Sequence, residues 1–148
     1  MSVFQIHHDI QILAPADTVW SVLTDFERYG EWNPFVVWAR CSLTPGAPIE
    51  MKVRLIGPAQ PQVEIIESVQ PGEGFAYCMK PFPLGALSSR RSHRIVPLGE
   101  GRCRYESRFE LRGWMMPVVR GLMKSAMQRG FAGMSEGVRQ RAEALSRT

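Results

Sequence analysis

The sequence predicts an α+β fold in which a curved, seven-stranded antiparallel sheet packs around one long C-terminal helix, with two short helices after the first strand. Three observations point there. Between Pro34 and Arg112 the chain offers six strand-like stretches in succession, separated by breaks too short for crossover helices, so neighbours pair antiparallel through hairpins. Past Pro117 a helical apolar period runs to about Ser146. Between the first strand and these six, the stretch LTDFERYGEWNPFV (Leu23 to Val36) crowds Phe26, Tyr29, Trp32 and Phe35 onto a segment broken by Gly30 and Pro34. Neither a long helix nor a central strand tolerates those breaks.

Taken in order, Val3 to Leu13 alternates, with Phe4, Ile6, His8, Ile10 and Ile12 on one side and Gln5, His7, Asp9 and Gln11 on the other. That is a half-buried strand. Pro15 stops it, and a short helix opened by Ala16 or Asp17 carries Val19, Trp20, Val22 and Leu23. The strands PFVVWARCSL and PIEMKVRLI flank the turn signal Pro45-Gly46, PQVEIIESV begins at the end of GPAQP, GFAYCMK follows Pro71-Gly72, and SSRRSHRIVP and CRYESRFELR flank LGEG. The concave face of such a sheet must be covered, and the last helix, roughly 45 Å long at 1.5 Å per residue, is the element long enough to cross it.

On a helical wheel, Val119, Met123, Ala126, Met127, Gly130, Phe131, Met134, Gly137 and Val138 gather on one face of that helix. Glycine in a helix interior costs about 0.8–1 kcal/mol against alanine, so Gly130 and Gly137 on the apolar face require a reason. One is close packing on the sheet. The other is a pocket: small residues leave room, and Met123, Met127 and Met134 line it with adaptable surface.

At 148 residues, with 45% hydrophobic and 22% charged side chains, the chain reads as one domain, 1–148, with an ordinary globular composition. No apolar run is long enough to span a membrane, and MSVFQIHHDI lacks a basic start and an apolar signal core, so a cytoplasmic protein is expected. The net charge of +4 is spread among glutamates without a block of like charges, which argues against a nucleic-acid partner. Cys41, Cys78 and Cys103 show no CxxC spacing, and His7 and His8 point to opposite faces of a strand. No metal site and no cofactor are expected, and the chain is read as a monomer or homodimer.

The hairpin around LGEG decides which polar groups face inward. Opposing Ile95 to Tyr105 sets Arg94 against Glu106 and Arg90 against Glu110, two favourable outer pairs, whereas a shift of two residues opposes arginine to arginine. The favourable register turns Arg91, His93, Ile95, Cys103, Tyr105, Ser107, Phe109 and Leu111 toward the helix. Arg91, His93, Tyr105 and Ser107 are the most chemically suggestive group, since a histidine beside a tyrosine and a hydroxyl can orient a carbonyl or move a proton. Glu64, Glu67 and Glu106 are expected to point outward. No nucleophile elbow, P-loop or GxGxxG is present.

The run IQILAPADTVWSVLTDFERYGEWNPFV, with its Ala-Pro, Val19-Trp20, Thr24-Asp25 and Tyr29 to Phe35, resembles the opening of the polyketide cyclase/dehydratase branch of the START-like (SRPBCC) superfamily. SHRIVPLGEGRCRYESRFELRGWMMPVV is similar to its closing hairpin and entry into the last helix. The resemblance implies a helix-grip fold enclosing a deep cavity, with the two short helices as a plug built from Trp20, Phe26, Tyr29, Trp32 and Phe35. The methionine- and glycine-bearing helix face, the inward side of the hairpin and the mouth of the plug are then read as binding a small hydrophobic molecule, lipid-, polyketide- or aromatic-like, at Tyr29, Trp32, His93, Tyr105, Ser107, Phe109, Met123, Met127, Gly130 and Met134. The alternatives are a cyclase, dehydratase or isomerase using His93 with Arg91 or Tyr105, and a protein- or RNA-interaction module.

Overall fold

The structure is a computed structural model and describes residues 3–147. Strand β1 (Phe4–Ile12) leads into α1 (Ala16–Thr24) and a 3-10 helix, Phe26–Glu31. Strands β2 (Val36–Cys41), β3 (Pro48–Val53), β4 (Gln60–Gln70), β5 (Gly74–Cys78), β6 (Ser88–Pro97) and β7 (Cys103–Arg112) follow, and α2 (Met116–Ser146) closes the chain. The sheet order is β1-β7-β6-β5-β4-β3-β2, antiparallel throughout. Strands β2 to β7 form a meander, and β1 returns to pair with β7, so the first and last strands are neighbours.

The helix α2 is continuous over 31 residues, and Pro117 sits in its first turn, where a missing N–H costs least. The hairpin register is Ile95 opposite Tyr105, with Arg94 opposite Glu106 and Arg90 opposite Glu110. The outer charges pair differently from the expectation. Arg90 bonds Glu67 across β5 at 3.1 Å, and Glu106 takes Arg104 of its own strand at 2.9 Å.

The aromatic segment packs as a plug. Phe26 lies 5.3 Å from Tyr29 and 6.1 Å from Phe75, and Tyr29 lies 5.0 Å from Trp32, ring centre to ring centre. The Tyr29 hydroxyl donates to the Leu23 carbonyl at 2.5 Å, and Asn33 Oδ1 accepts from the backbone N–H of Phe35 and Val36. These bonds satisfy the backbone where the chain turns from 3-10 helix into β2.

Against this plug the C-terminal half of α2 approaches closely. A Cβ on Gly130 would overlap the Phe35 ring, and one on Gly137 would stand 2.7 Å from the Trp32 carbonyl oxygen. Of the two readings of Gly130 and Gly137, close packing holds, against residues 32–35 instead of the sheet, and the expectation that Gly130 lines a pocket is corrected. The N-terminal half of α2 differs, since Val119, Met123 and Met127 there border open space instead of the plug.

Candidate ligand-binding site

The space left under the N-terminal half of α2 is a cavity of about 470 Å³, within the usual range for small-molecule sites. Phe35, Met51, Val53 and Leu55 form one wall, Phe109 and Leu111 another, and Val119, Met123, Met127 and Phe131 of α2 the roof. Phe82 and Leu87 come from the β5–β6 connection. The polar groups reaching it include Glu64, Tyr77, Arg91, Gln62, Ser89 and Lys80.

Strand register brings the central polar groups together. Ile66 opposes Tyr77, Tyr77 opposes Arg91, and Arg91 opposes Phe109, making one row across β4, β5, β6 and β7. Glu64 stands one inward position before Ile66, opposite the buried Ile49 of β3. Arg91 is 3% exposed. Its guanidinium donates to Ser107 Oγ at 2.5 Å, to the Arg108 carbonyl at 3.4 Å and to the Met134 sulfur at 3.6 Å, and lies 4.6 Å from the centre of the Phe131 ring.

Among the described residues no carboxylate lies within 4 Å of Arg91. A buried cation without a hydrogen-bonded anion is costly, and the anion that faces it across the cavity is Glu64. Burial pushes the Glu64 carboxyl up to about 7, with the Arg91 charge pulling the other way. Burial also raises the Tyr77 phenol well above its ordinary value, so it remains a neutral donor. The site can thus offer a fixed positive charge, a phenolic O–H and a carboxyl group that changes state near neutral pH.

The expected site residues divide between this cavity and the sealed core. Phe109, Met123 and Met127 line the cavity, as does Arg91. His93, Tyr105 and Ser107 do not. His93 Nδ1 is hydrogen-bonded to the Tyr105 hydroxyl at 2.6 Å, the two rings are stacked, and all three residues are at most 2% exposed. Burial holds the His93 pKa well below its ordinary value, reinforced by Arg91. A neutral histidine sealed in the core exchanges no proton with a ligand in the cavity. Met134 is buried behind Arg91, Tyr29 is buried in the plug, and Trp32 is half-buried against Gly137. Gly130 faces Phe35 instead of the cavity.

Glu64 and Tyr77 are the residues sequence reasoning missed. Glu64, an isolated strand carboxylate, was expected to point outward. The register settles it otherwise: β3 places Ile49, Met51 and Val53 inward, and their partners are Glu64, Gln62 and Gln60. The usable signal was this pairing, obscured by an irregularity between Ile66 and Ser68 that changes the alternation along β4.

Residues 3–140 match the family described as polyketide cyclase / dehydrase and lipid transport. The chain belongs to that family. Its fold is the START-like helix grip. The Zhui aromatase/cyclase from Streptomyces sp. R1128 is similar at TM-score 0.79 and 16% identity, over 96% of this chain and 94% of that one. A START superfamily protein from Mycobacterium smegmatis gives TM-score 0.75 at 17% identity, over 95% and 98%. Norcoclaurine synthase from Thalictrum flavum gives 0.72 at 16%, over 97% and 96%. No curated protein sequence matches the chain. At these identities the structural likeness concerns the fold, which hosts many functions.

Proposed function

We propose that this polyketide cyclase / dehydrase and lipid transport family member binds a small, mostly apolar molecule in the cavity under α2, with a carbonyl or acidic oxygen of the ligand directed at Arg91. The observation that carries this reading is the buried Arg91 guanidinium, opening onto apolar walls with no carboxylate within 4 Å among the described residues. An oxygen anion or dipole placed there replaces the missing counter-charge, and the aliphatic and aromatic walls desolvate the rest of the molecule. Titration with two probes tests it: the anionic 8-anilino-1-naphthalenesulfonate and the uncharged N-phenyl-1-naphthylamine. Both should bind, and Arg91→Met should weaken the anionic probe about tenfold while leaving the neutral one within a factor of two or so. Equal loss of both probes in a folded variant would overturn the role of Arg91.

A second reading, cyclase- or dehydratase-type catalysis, is favoured by one observation: the Glu64 carboxyl is pushed to about 7 beside Arg91 and Tyr77. A carboxyl matched to neutral pH can take a proton from carbon α to a ligand carbonyl while Arg91 and Tyr77 hold the enolate oxygen. Deuterium exchange into β-tetralone followed by NMR checks this. Exchange faster than the buffer rate and lost in Glu64→Gln supports catalysis, and exchange at the buffer rate leaves a binding protein.

A further inference from the structure

Two groups of opposite charge type line the cavity without pairing. Arg91 is 3% exposed, and among the described residues no carboxylate lies within 4 Å of it. Glu64 is half-buried in the cavity lining, and burial and the charge of Arg91 act on its carboxyl, with no hydrogen bond. On the strand between theirs stands Tyr77, 5% exposed, directly opposite Arg91 and in the same lining. The lining residues of β3, β7 and α2 are all apolar.

Charge counting limits what an acid can do in this space. Arg91 carries one positive charge. With Glu64 and an acidic ligand both ionised, two negative charges would face it among apolar walls, and like charges at close range resist ionising together. One proton restores neutrality. Held on Glu64, it also turns that carboxyl from an acceptor into a donor. Arg91, Tyr77 and Glu64 then all present N–H or O–H groups to the same space. A carboxylate or sulfonate has lone pairs for all of them, and a single carbonyl oxygen does not.

We infer that the cavity takes an apolar organic acid as its anion, and that one proton enters with it and rests on Glu64. This rests on the ligand-binding reading above and narrows it: the ligand is an acid, not a neutral carbonyl compound, and its uptake is coupled to pH. Lower pH favours binding. Higher pH ionises Glu64, which then faces Arg91 as its counter-charge and repels the anion.

Glu64 sets the range. Burial pushes its carboxyl up to about 7 in the empty cavity, and an anion beside it pushes the same way. The neighbouring ionisable groups change state elsewhere. Burial, with Arg91 second, holds His8 of β1 below its ordinary 6.5 and His93 of β6 well below it. Burial raises the phenols of Tyr29 in the plug, Tyr77 on β5 and Tyr105 on β7. Cys78, which feels the Glu64 charge, is pushed up to about 12, chiefly by burial. Lys80 lies at the exposed mouth.

Fluorescence titration at pH 6.5 and pH 8.5 tests the inference. The sulfonate of 8-anilino-1-naphthalenesulfonate stays ionised at both, and N-phenyl-1-naphthylamine stays neutral. The sulfonate should bind about tenfold more weakly at pH 8.5, since uptake of one proton per ligand makes affinity fall as the free carboxyl ionises. The neutral probe should change less than about twofold. Glu64→Gln keeps a donor and cannot ionise, so it should hold the sulfonate nearly equally at both pH values, with circular dichroism to confirm its fold. Calorimetry at pH 8 in phosphate and in Tris, buffers of unlike ionisation enthalpy, should read proton uptake on binding the sulfonate. The inference is overturned if the sulfonate binds the parent equally at both pH values, if Glu64→Gln keeps the fall, or if no proton is taken up. Failure of both probes to bind at either pH would instead overturn the ligand-binding reading, and this inference with it.

Discussion

The two halves of the concave face use the same strands and differ by one pleat. In one row Phe75, His93 and Ser107 oppose one another across β5, β6 and β7, and in the next row, two residues along each strand, stand Tyr77, Arg91 and Phe109. The first row is sealed. His93 lies 4.8 Å from Phe75 and stacks on Tyr105, and Phe75 is covered in turn by Trp20 of α1 and Phe26 of the plug. The second row opens onto the cavity, roofed by Val119, Met123 and Met127 of α2. A step of about 7 Å along the strands therefore separates a core histidine from a cavity-facing arginine. Polar side chains on this buried face differ by what covers them: aromatic rings of α1 and the plug over one row, open space under α2 over the other.

The glycines of α2 break or sharpen this contrast most strongly. Gly130→Leu should destabilise the protein by roughly 1–3 kcal/mol, because its side chain must displace the Phe35 ring. Gly121→Ala should do the opposite and stabilise it by about 0.8–1.0 kcal/mol, since it removes a flexible residue from an exposed helix interior. Thermal or denaturant unfolding of both variants measures the pair. If Gly130→Leu is neutral or stabilising, the helix is not in contact with the plug and the sealed half is misassigned.

A smaller effect distinguishes the open row by pH. Glu64 has its carboxyl raised from 4.5 to about 7 by burial. A raised acid costs the folded state nothing below the unfolded value, because both states are protonated there. The cost grows as pH rises from 4.5 toward 7 and levels off above. Glu64→Gln should therefore match the parent near pH 4 and exceed its stability at pH 8, as read by urea unfolding at the two pH values. His93 runs the other way: with its pKa held below the ordinary 6.5, stability is present above that value and lost as pH falls below it. The comparison fails if Glu64→Gln shows the same advantage at both pH values.

Much of the fold was legible because local signals agreed. The hairpin breaks, the alternation in β1, the charge-compatible register of β6 and β7, and the proline at the start of α2 each favoured one topology. The parity of β6 and β7 placed Arg91 and Phe109 inward correctly. What stayed hidden was the distance between helix and sheet. Glycine on an apolar helix face permits both a close approach and a gap, and the sequence does not say which, so Gly130 was placed with the pocket lining when it is a contact. The same ambiguity put His93, Tyr105 and Ser107 on the list of ligand-facing groups. Glu64 was missed for a different reason, since the apolar Val63 and Ile65 on the outer side of β4 imitate an inner face until pairing with β3 is known.

Filling the cavity tests the account most directly. Met123 lines the open space from the first half of α2 and is half-buried, so Met123→Trp should occupy the volume a ligand uses without pressing on the plug. Isothermal titration of N-phenyl-1-naphthylamine into parent and variant, with circular dichroism to confirm the fold, reads the outcome. The account predicts a parent that binds the probe and a folded Met123→Trp that binds it at least about tenfold more weakly. A folded Met123→Trp with undiminished affinity would place the ligand elsewhere and contradict the division of the concave face into a sealed half and an open one.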